Sequence, residues 1–217
     1  MTITVPATRA DERNGRLWDR FAKGYSEKPI ADMQSYHRKL SLTQKYLRAD
    51  MRLVEFGCGT GGTAIAHSKH VAHVTATDVS AKMLEFARIN AAEAGVDNVD
   101  FEVASIESFE APDGSYDAVF MLSLLHLLEN PGAALDKARR LLKPGGLLIT
   151  STACLGDSMR WFGLIAPLGA AMGLIPRVQF LSVDELRGEI TDRGFACLDE
   201  FQQGDGRTYF QIARKLA

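Results

Sequence analysis

The run Val54-Glu55-Phe56-Gly57-Cys58-Gly59-Thr60-Gly61-Gly62 gathers the residue types that hold a ligand through the main chain. Its glycines let the backbone turn sharply and let a ligand approach without meeting a Cβ. A helical pattern begins at Thr63, and free amides at a helix N-terminus favour an anionic group such as a carboxylate or phosphate. Asp78 ends the next β-rich run about 20 residues on, where a carboxylate takes both hydroxyls of a ribose. Gly57, Gly59 and Gly62 also satisfy G-x-G-x-x-G, the dinucleotide pattern.

Other residues with chemistry to offer are few. His126 follows the β-rich run Tyr116–Leu122, at the carboxyl edge where open α/β sheets bind ligands. It reads as a base, a substrate hydrogen-bonder, a pocket wall, or a histidine satisfied by backbone at a helix start. The cysteines Cys58, Cys154 and Cys197 lie far apart with no metal-ligand spacing, so neither a disulfide framework nor a zinc site is expected. Cys58 reads as a small filler inside the glycine run.

The elements that position these residues alternate. β-rich runs fall at Leu53–Phe56, His73–Asp78, Val99–Ala104, Tyr116–Leu122 and Leu147–Thr152, with helical patterns at Thr63–His70, Ser80–Ala94 and Pro131–Leu142. Breakers stand at Gly57–Gly62, Gly95, Pro112–Gly114 and Pro144–Gly146. This succession predicts an open, doubly wound α/β sheet with parallel strands. A helix at Ser182–Arg193 precedes the runs Ala196–Phe201 and Thr208–Arg214, whose link is too short for a crossover helix, so they form an antiparallel hairpin. Upstream, a helix over Asp11–Lys23 carries Leu17, Trp18 and Phe21 on one side, and one over Gln34–Leu47 carries Tyr36, Leu40, Thr43 and Leu47.

The loop alone leaves a nicotinamide dinucleotide and S-adenosylmethionine both open. Its wider setting resembles the class I S-adenosylmethionine-dependent methyltransferases. Glu55-x-Gly57-x-Gly59-x-Gly61 resembles their first motif, and Thr77-Asp78-Val79-Ser80-x-x-Met83-Leu84-x-x-Ala87 their second. Tyr116-Asp117-Ala118-Val119 with Leu125-His126, and Leu142-Lys143-Pro144-Gly145-Gly146, are similar to their fourth-strand and post-helix signatures. The resemblance implies a mostly parallel seven-stranded sheet of Rossmann-like type ending in the hairpin, and S-adenosyl-L-methionine as cofactor.

It also implies roles. Glu55 orients the loop and the methionyl part, and Gly57, Gly59 and Gly61 pass beneath it. Asp78, at an open strand end, holds the ribose. Val79 and Met83 flank the adenine, Ile106 covers its other face, and Leu122 borders the methionyl group. Many relatives place an Asp after the third strand to accept from the adenine amine. Here Ala104-Ser105-Ile106 stands instead, with the Ser105 hydroxyl as a weaker acceptor and Glu107 as a further reach. The run Trp18-Asp19-x-Phe21-Ala22-x-x-Tyr25 is similar to an N-terminal signature of quinone and other small-molecule methyltransferases, which makes Tyr25 a candidate pocket residue alongside His126. Tyr36 and His37 are weaker candidates.

Composition bounds the rest. A chain of 217 residues buries one substantial core. A net charge of −2 gives no general grip on a phosphate backbone, so no nucleic-acid partner is expected. The N-terminus lacks a secretory core, and the longest apolar stretch, Trp161–Ile175, is too short to span a bilayer. A cytoplasmic protein, monomeric or homodimeric, is the expectation. We divide it into a helical lid segment, 1–48, and a cofactor-binding catalytic domain, 49–217, with an apolar insertion at 156–180. The dense apolar set Met159–Ile175 reads as pocket cover, as a dimer or membrane-surface patch, or as core. Either of the first two readings favours a small apolar or amphipathic acceptor. Methyl transfer itself needs no metal.

Overall fold

The computed structural model describes residues 9–157, 178–204 and 206–217. Its strands are β1 (Arg52–Phe56), β2 (His73–Asp78), β3 (Val99–Val103), β4 (Tyr116–Leu122), β5 (Leu142–Ala153), β6 (Phe195–Gln202) and β7 (Thr208–Lys215). Its α-helices are α1 (Arg9–Ser26), α2 (Met33–Gln44), α3 (Gly62–Ser68), α4 (Ala81–Glu93), α5 (Pro131–Leu141) and α6 (Val183–Asp192). The strands form one sheet in the order β3-β2-β1-β4-β5-β7-β6. The first five are mutually parallel, and β7 runs antiparallel to both β5 and β6. The doubly wound sheet with its closing hairpin is therefore the fold of this chain.

Period-two alternation in each strand feeds two cores. Val54 and Phe56 of β1 face a cluster with Leu135, Leu141 and Leu186 from α5 and α6. Leu53 faces the other way, with Ala64 and Leu84 from α3 and α4. Burying each large side chain of this kind is worth about 1.5–3 kcal/mol. The winding reverses between β1 and β4, so a crevice opens at their carboxyl ends.

Three features differ from the sequence expectation or fall beyond its test. Pro144–Gly146 does not end an element but bulges within β5: Tyr116 pairs with Leu142, and two residues later Ala118 pairs with Leu147. Asp117 holds this kink, taking the Lys143 ammonium at 2.8 Å and the Arg52 amide at 2.8 Å. Second, α1 packs through Gly15, Asp19 and Ala22, while Phe21 is 43% exposed. Its partner is the polar turn after β2, where only small or hydrogen-bonding residues fit. Third, Met159–Ile175 lies outside the described residues, as does most of 156–180.

Candidate functional site

β1 hands the chain to a turn whose glycines Gly57, Gly59 and Gly61 have φ of 69°, 55° and 79°. Side chains disfavour this left-handed region. Two of the three also lack room. A Cβ on Gly61 would sit 3.0 Å from the Ala87 methyl, and one on Gly57 would sit 3.1 Å from a Leu124 methyl. At Gly59 the nearest group is the Tyr25 ring, at 3.6 Å, so this glycine presents open main chain beneath an aromatic cover. The Cys58 amide donates to Thr77 O at 2.9 Å and the Asn90 side-chain amide donates to Thr60 O at 2.9 Å, which fixes the turn to β2 and α4. Burial pushes the Cys58 thiol well up, which keeps it protonated and inert.

Asp78 is not at an open strand end. It is 9% exposed, and its two oxygens accept from the amides of Gly59 and Ser80, each at 2.9 Å. It therefore joins the glycine turn to the start of α4. Burial raises its pKa against those two amide bonds. Each carboxylate oxygen keeps a second lone pair for a ligand hydroxyl. Glu55 is 3% exposed, and its Oε2 has no hydrogen-bond partner. Burial, and then the nearby Asp78 charge, push its carboxyl up to about 8. An unpaired carboxyl oxygen in such a place costs free energy until a donor or cation meets it.

A cavity of about 260 Å³ opens between α1 and the loops after β2 and β3. Val79, Ala104, Ser105 and Ser108 line it from the sheet side, and Gly15 and Asp19 from α1. Val79 and Ser105 thus line the same cavity. Met83 is buried and does not line the cavity. Ile106 is corrected: it is 2% exposed and packs in the core with Phe109, away from the cavity. The cause is local. Ser105 and Ser108 cap one another through bonds of 3.0–3.1 Å, which turns the residue between them inward. The Ser105 hydroxyl is engaged in that pair.

At the end of β4, Leu122 is half-buried, and Ser123 follows with φ 57°, the one positive value outside glycine among the described residues. Such strain at a sheet's ligand edge is a mark of a working position. Nothing in the sequence signalled it. His126 accepts at Nδ1 from the Ala153 amide, at 3.4 Å, and burial lowers its pKa to about 4. The ring is neutral at pH 7 with its proton on Nε2, so it offers a donor rather than a base. Tyr25 is 54% exposed above Gly59; burial of its hydroxyl end, then Asp78 and Glu55, raise its pKa. Tyr36 reaches Gly62 O at 3.5 Å, and its pKa is raised by burial and then Glu55. Tyr25 and Tyr36 therefore both overhang the Glu55 side of the site.

A crevice at the switch point, a glycine turn and two buried carboxyl groups thus form one candidate ligand site at the carboxyl edge of the sheet. The family described as methyltransferase domain matches residues 53–146. Over 138 residues the chain is 34% identical to the ubiquinone biosynthesis O-methyltransferase of Xanthomonas euvesicatoria, covering 63% of this chain and 56% of that protein. Over 129 residues it is 33% identical to the protein of the same name from Paracidovorax citrulli, covering 58% and 53%. The chain spans about half the length of the curated relatives it matches. Among solved structures, the cyclase SpnF matches with a TM-score of 0.77 at 19% identity over 99% of both chains. The N-methyltransferase NodS from Bradyrhizobium japonicum, in complex with S-adenosyl-L-homocysteine, matches at 0.68 and 15% identity over 87% and 89%. At such identities these structures establish fold alone, and a cyclase among them illustrates that the fold does not fix the reaction. Residues 53–146 match the methyltransferase-domain family, and the described chain has the fold of these solved structures.

The residues present fit S-adenosylmethionine. Asp78 has lone pairs for the ribose, Glu55 has an unpartnered oxygen for a positive group, and Gly59 has open main chain. Among the described residues no cluster of His, Cys, Asp or Glu could hold a metal ion, and no helix is long and apolar enough to cross a membrane.

Proposed function

We propose that this chain transfers the methyl group of S-adenosylmethionine to a small, apolar or amphipathic acceptor. The observation that carries this is the orphaned Glu55 oxygen beneath the glycine turn, with Asp78 beside it. A methionyl ammonium and a sulfonium bring positive charge to that pair. A nicotinamide dinucleotide would bring a pyrophosphate, which offers the orphaned Glu55 oxygen neither a donor nor a positive charge. The cofactor supplies an activated methyl, and the chain's work is alignment and exclusion of water. Asp78 holds the ribose, Val79 and Ser105 border the adenine, Leu122 and Tyr25 close around the methionyl end, and the His126 Nε2–H donates to the acceptor.

Residues 1–48 act as a lid and 49–217 as the catalytic domain, with 156–180 as an apolar insertion. Relatives named ubiquinone biosynthesis O-methyltransferases support a quinone-like acceptor. Three free cysteines fit a cytoplasmic setting, in a monomer or homodimer with no nucleic-acid partner. Calorimetry with S-adenosylmethionine, S-adenosylhomocysteine and the two nicotinamide dinucleotides tests the reading. The first two should bind more tightly; preferential dinucleotide binding would overturn it. Methyl-labelled cofactor added with a cell extract then identifies the acceptor as the small molecule that gains label.

A further inference from the structure

On the face of the sheet that carries Glu55, the carboxyl edge also carries Leu122 on β4 and, directly across the register, Ser151 on β5. One cation reaches this edge from above. Lys39 of α2 donates from Nζ to Ser151 Oγ at 3.3 Å, joining positions 112 residues apart. Tyr36 sits one turn earlier on the same helix face, next to Glu55. Along the edge, therefore, Asp78 and Glu55 stand on β2 and β1, Leu122 on β4, and the lysine over β5. Two strand spacings, roughly 10 Å, separate Glu55 from the lysine's strand, and a third separates Asp78.

The lysine is held in place and is short of counter-charge. Just past α2, the Tyr46 hydroxyl bonds the Asp199 carboxylate, and the Arg38 guanidinium lies 4.0 Å from the centre of the Phe201 ring, so the helix is fastened to β6. Among the described residues Lys39 makes no ion pair. Asp32, whose charge it feels, is spent on capping α2 by accepting from the Ser35 amide at 2.9 Å. Burial pulls the lysine's pKa down more than Asp32 holds it up. An ammonium has three donors, and Ser151 takes one.

We infer that Lys39 is the counter-charge for an ionised acceptor oxygen, which makes it a specificity-determining residue that selects oxyanions over neutral acceptors. The inference rests on the methyl-transfer reading and adds the acceptor's charge. In the step, the oxyanion's lone pair forms the bond to the methyl carbon. The carbon–sulfur bond breaks and leaves its electron pair on sulfur. The acceptor's proton has already gone to solvent, and Lys39 keeps its own. Charge is annihilated in this reaction, so a cation paired with the nucleophile stabilises the ground state more than the transition state. The lysine should therefore lower KM for the acceptor without raising kcat.

The test uses the full chain saturated with S-adenosylhomocysteine. The probes are 4-nitrophenolate and benzoate as two kinds of oxyanion, and 4-nitroanisole and methyl benzoate as their neutral counterparts. Wild type should prefer at least one oxyanion over its neutral partner by about tenfold, the value of one charge-assisted contact. Which oxyanion is preferred distinguishes an aryl alcohol from a carboxylic acid. Lys39→Met should abolish the preference, Lys39→Arg should retain most of it, and both should hold S-adenosylhomocysteine as wild type does. Once an acceptor is in hand, Lys39→Met should raise its KM with kcat unchanged or raised. An oxyanion preference that survives in Lys39→Met, or a wild type with none, would overturn the assignment and leave methyl transfer standing. Failure of wild type to bind S-adenosylhomocysteine would overturn methyl transfer itself.

Discussion

The Asp19 carboxylate accepts a hydrogen bond from the Ser80 hydroxyl at 2.6 Å and another from the Lys82 amide at 3.2 Å. The same Ser80 oxygen caps α4 by accepting from the Met83 amide at 3.1 Å, and the Ser80 amide donates to Asp78. One turn before Asp19, a Cβ on Gly15 would lie 2.6 Å from Val79 O, so only glycine lets α1 come this close. The N-terminal helix is thus fastened to Val79 and Ser80, the two residues that follow Asp78, so its docking should be coupled to cofactor binding if Asp78 holds the ribose.

Asp19→Ala should therefore weaken S-adenosylhomocysteine binding by about 1–2 kcal/mol, the loss of one bond to an ionised group. Calorimetry measures it, with circular dichroism to show that the fold persists. Unchanged affinity in a folded variant would mean that α1 takes no part in holding the cofactor.

Asp78→Ala should cost about 2–4 kcal/mol of cofactor affinity, because two charge-assisted bonds to the ribose are lost. An open strand end would have left the ligand-free protein unaffected. The observed bonds to Gly59 and Ser80 change that expectation. The variant leaves two amides without an acceptor, so it should also lose about 1–3 kcal/mol of stability before any ligand is added. Urea unfolding of the ligand-free protein separates the two effects. Equal stability would show that water or the backbone takes over both amides.

Ser105→Asp should keep or improve cofactor affinity. The carboxylate can replace the hydroxyl as acceptor for the Ser108 amide, since Asp and Ser serve such caps about equally. It also keeps lone pairs free for the adenine amine at the cavity wall. A folded variant that binds much more weakly would place the adenine elsewhere.

What the sequence made legible was chain-local. The glycine turn, Asp78, the strand succession and the hairpin each follow from spacing within a few residues or from the length of one link. The parts it hid depend on what docks where. α1 was read by its apolar side, Leu17, Trp18 and Phe21, yet it meets a polar turn through Gly15 and Asp19. Ile106 looked like a cavity wall by its position, and the Ser105–Ser108 pair turned it inward. Lys39 was passed over because nothing near it in sequence is unusual. Its one signal was the three-residue step from Tyr36, and its partner Ser151 comes from another strand.

Glu55 sets the pH behaviour of the site. Its carboxyl is pushed from the ordinary 4.5 to about 8. Below 4.5 it is protonated in the folded and unfolded chain alike. Between 4.5 and about 8 the unfolded chain has released the proton and the folded chain still holds it, so stability falls as pH rises through that window. His67 and His126 act on the acid side. Burial lowers both from 6.5 to about 4, so the unfolded chain takes up their protons first and stability falls as pH drops through that range. Below 6.5 the two histidines therefore oppose the glutamate. Glu55→Gln should flatten the alkaline limb and leave the acid limb in place. Cofactor binding adds a second readout. A positive group meeting Glu55 favours its ionised form, so binding near neutral pH should release up to one proton to the buffer. The calorimetric enthalpy of S-adenosylhomocysteine binding, whose ammonium is the positive group, should then vary with the buffer's own ionisation enthalpy in wild type and not in Glu55→Gln. A wild-type enthalpy that is the same in every buffer would mean that no positive group meets Glu55, and the orphaned oxygen would need another partner.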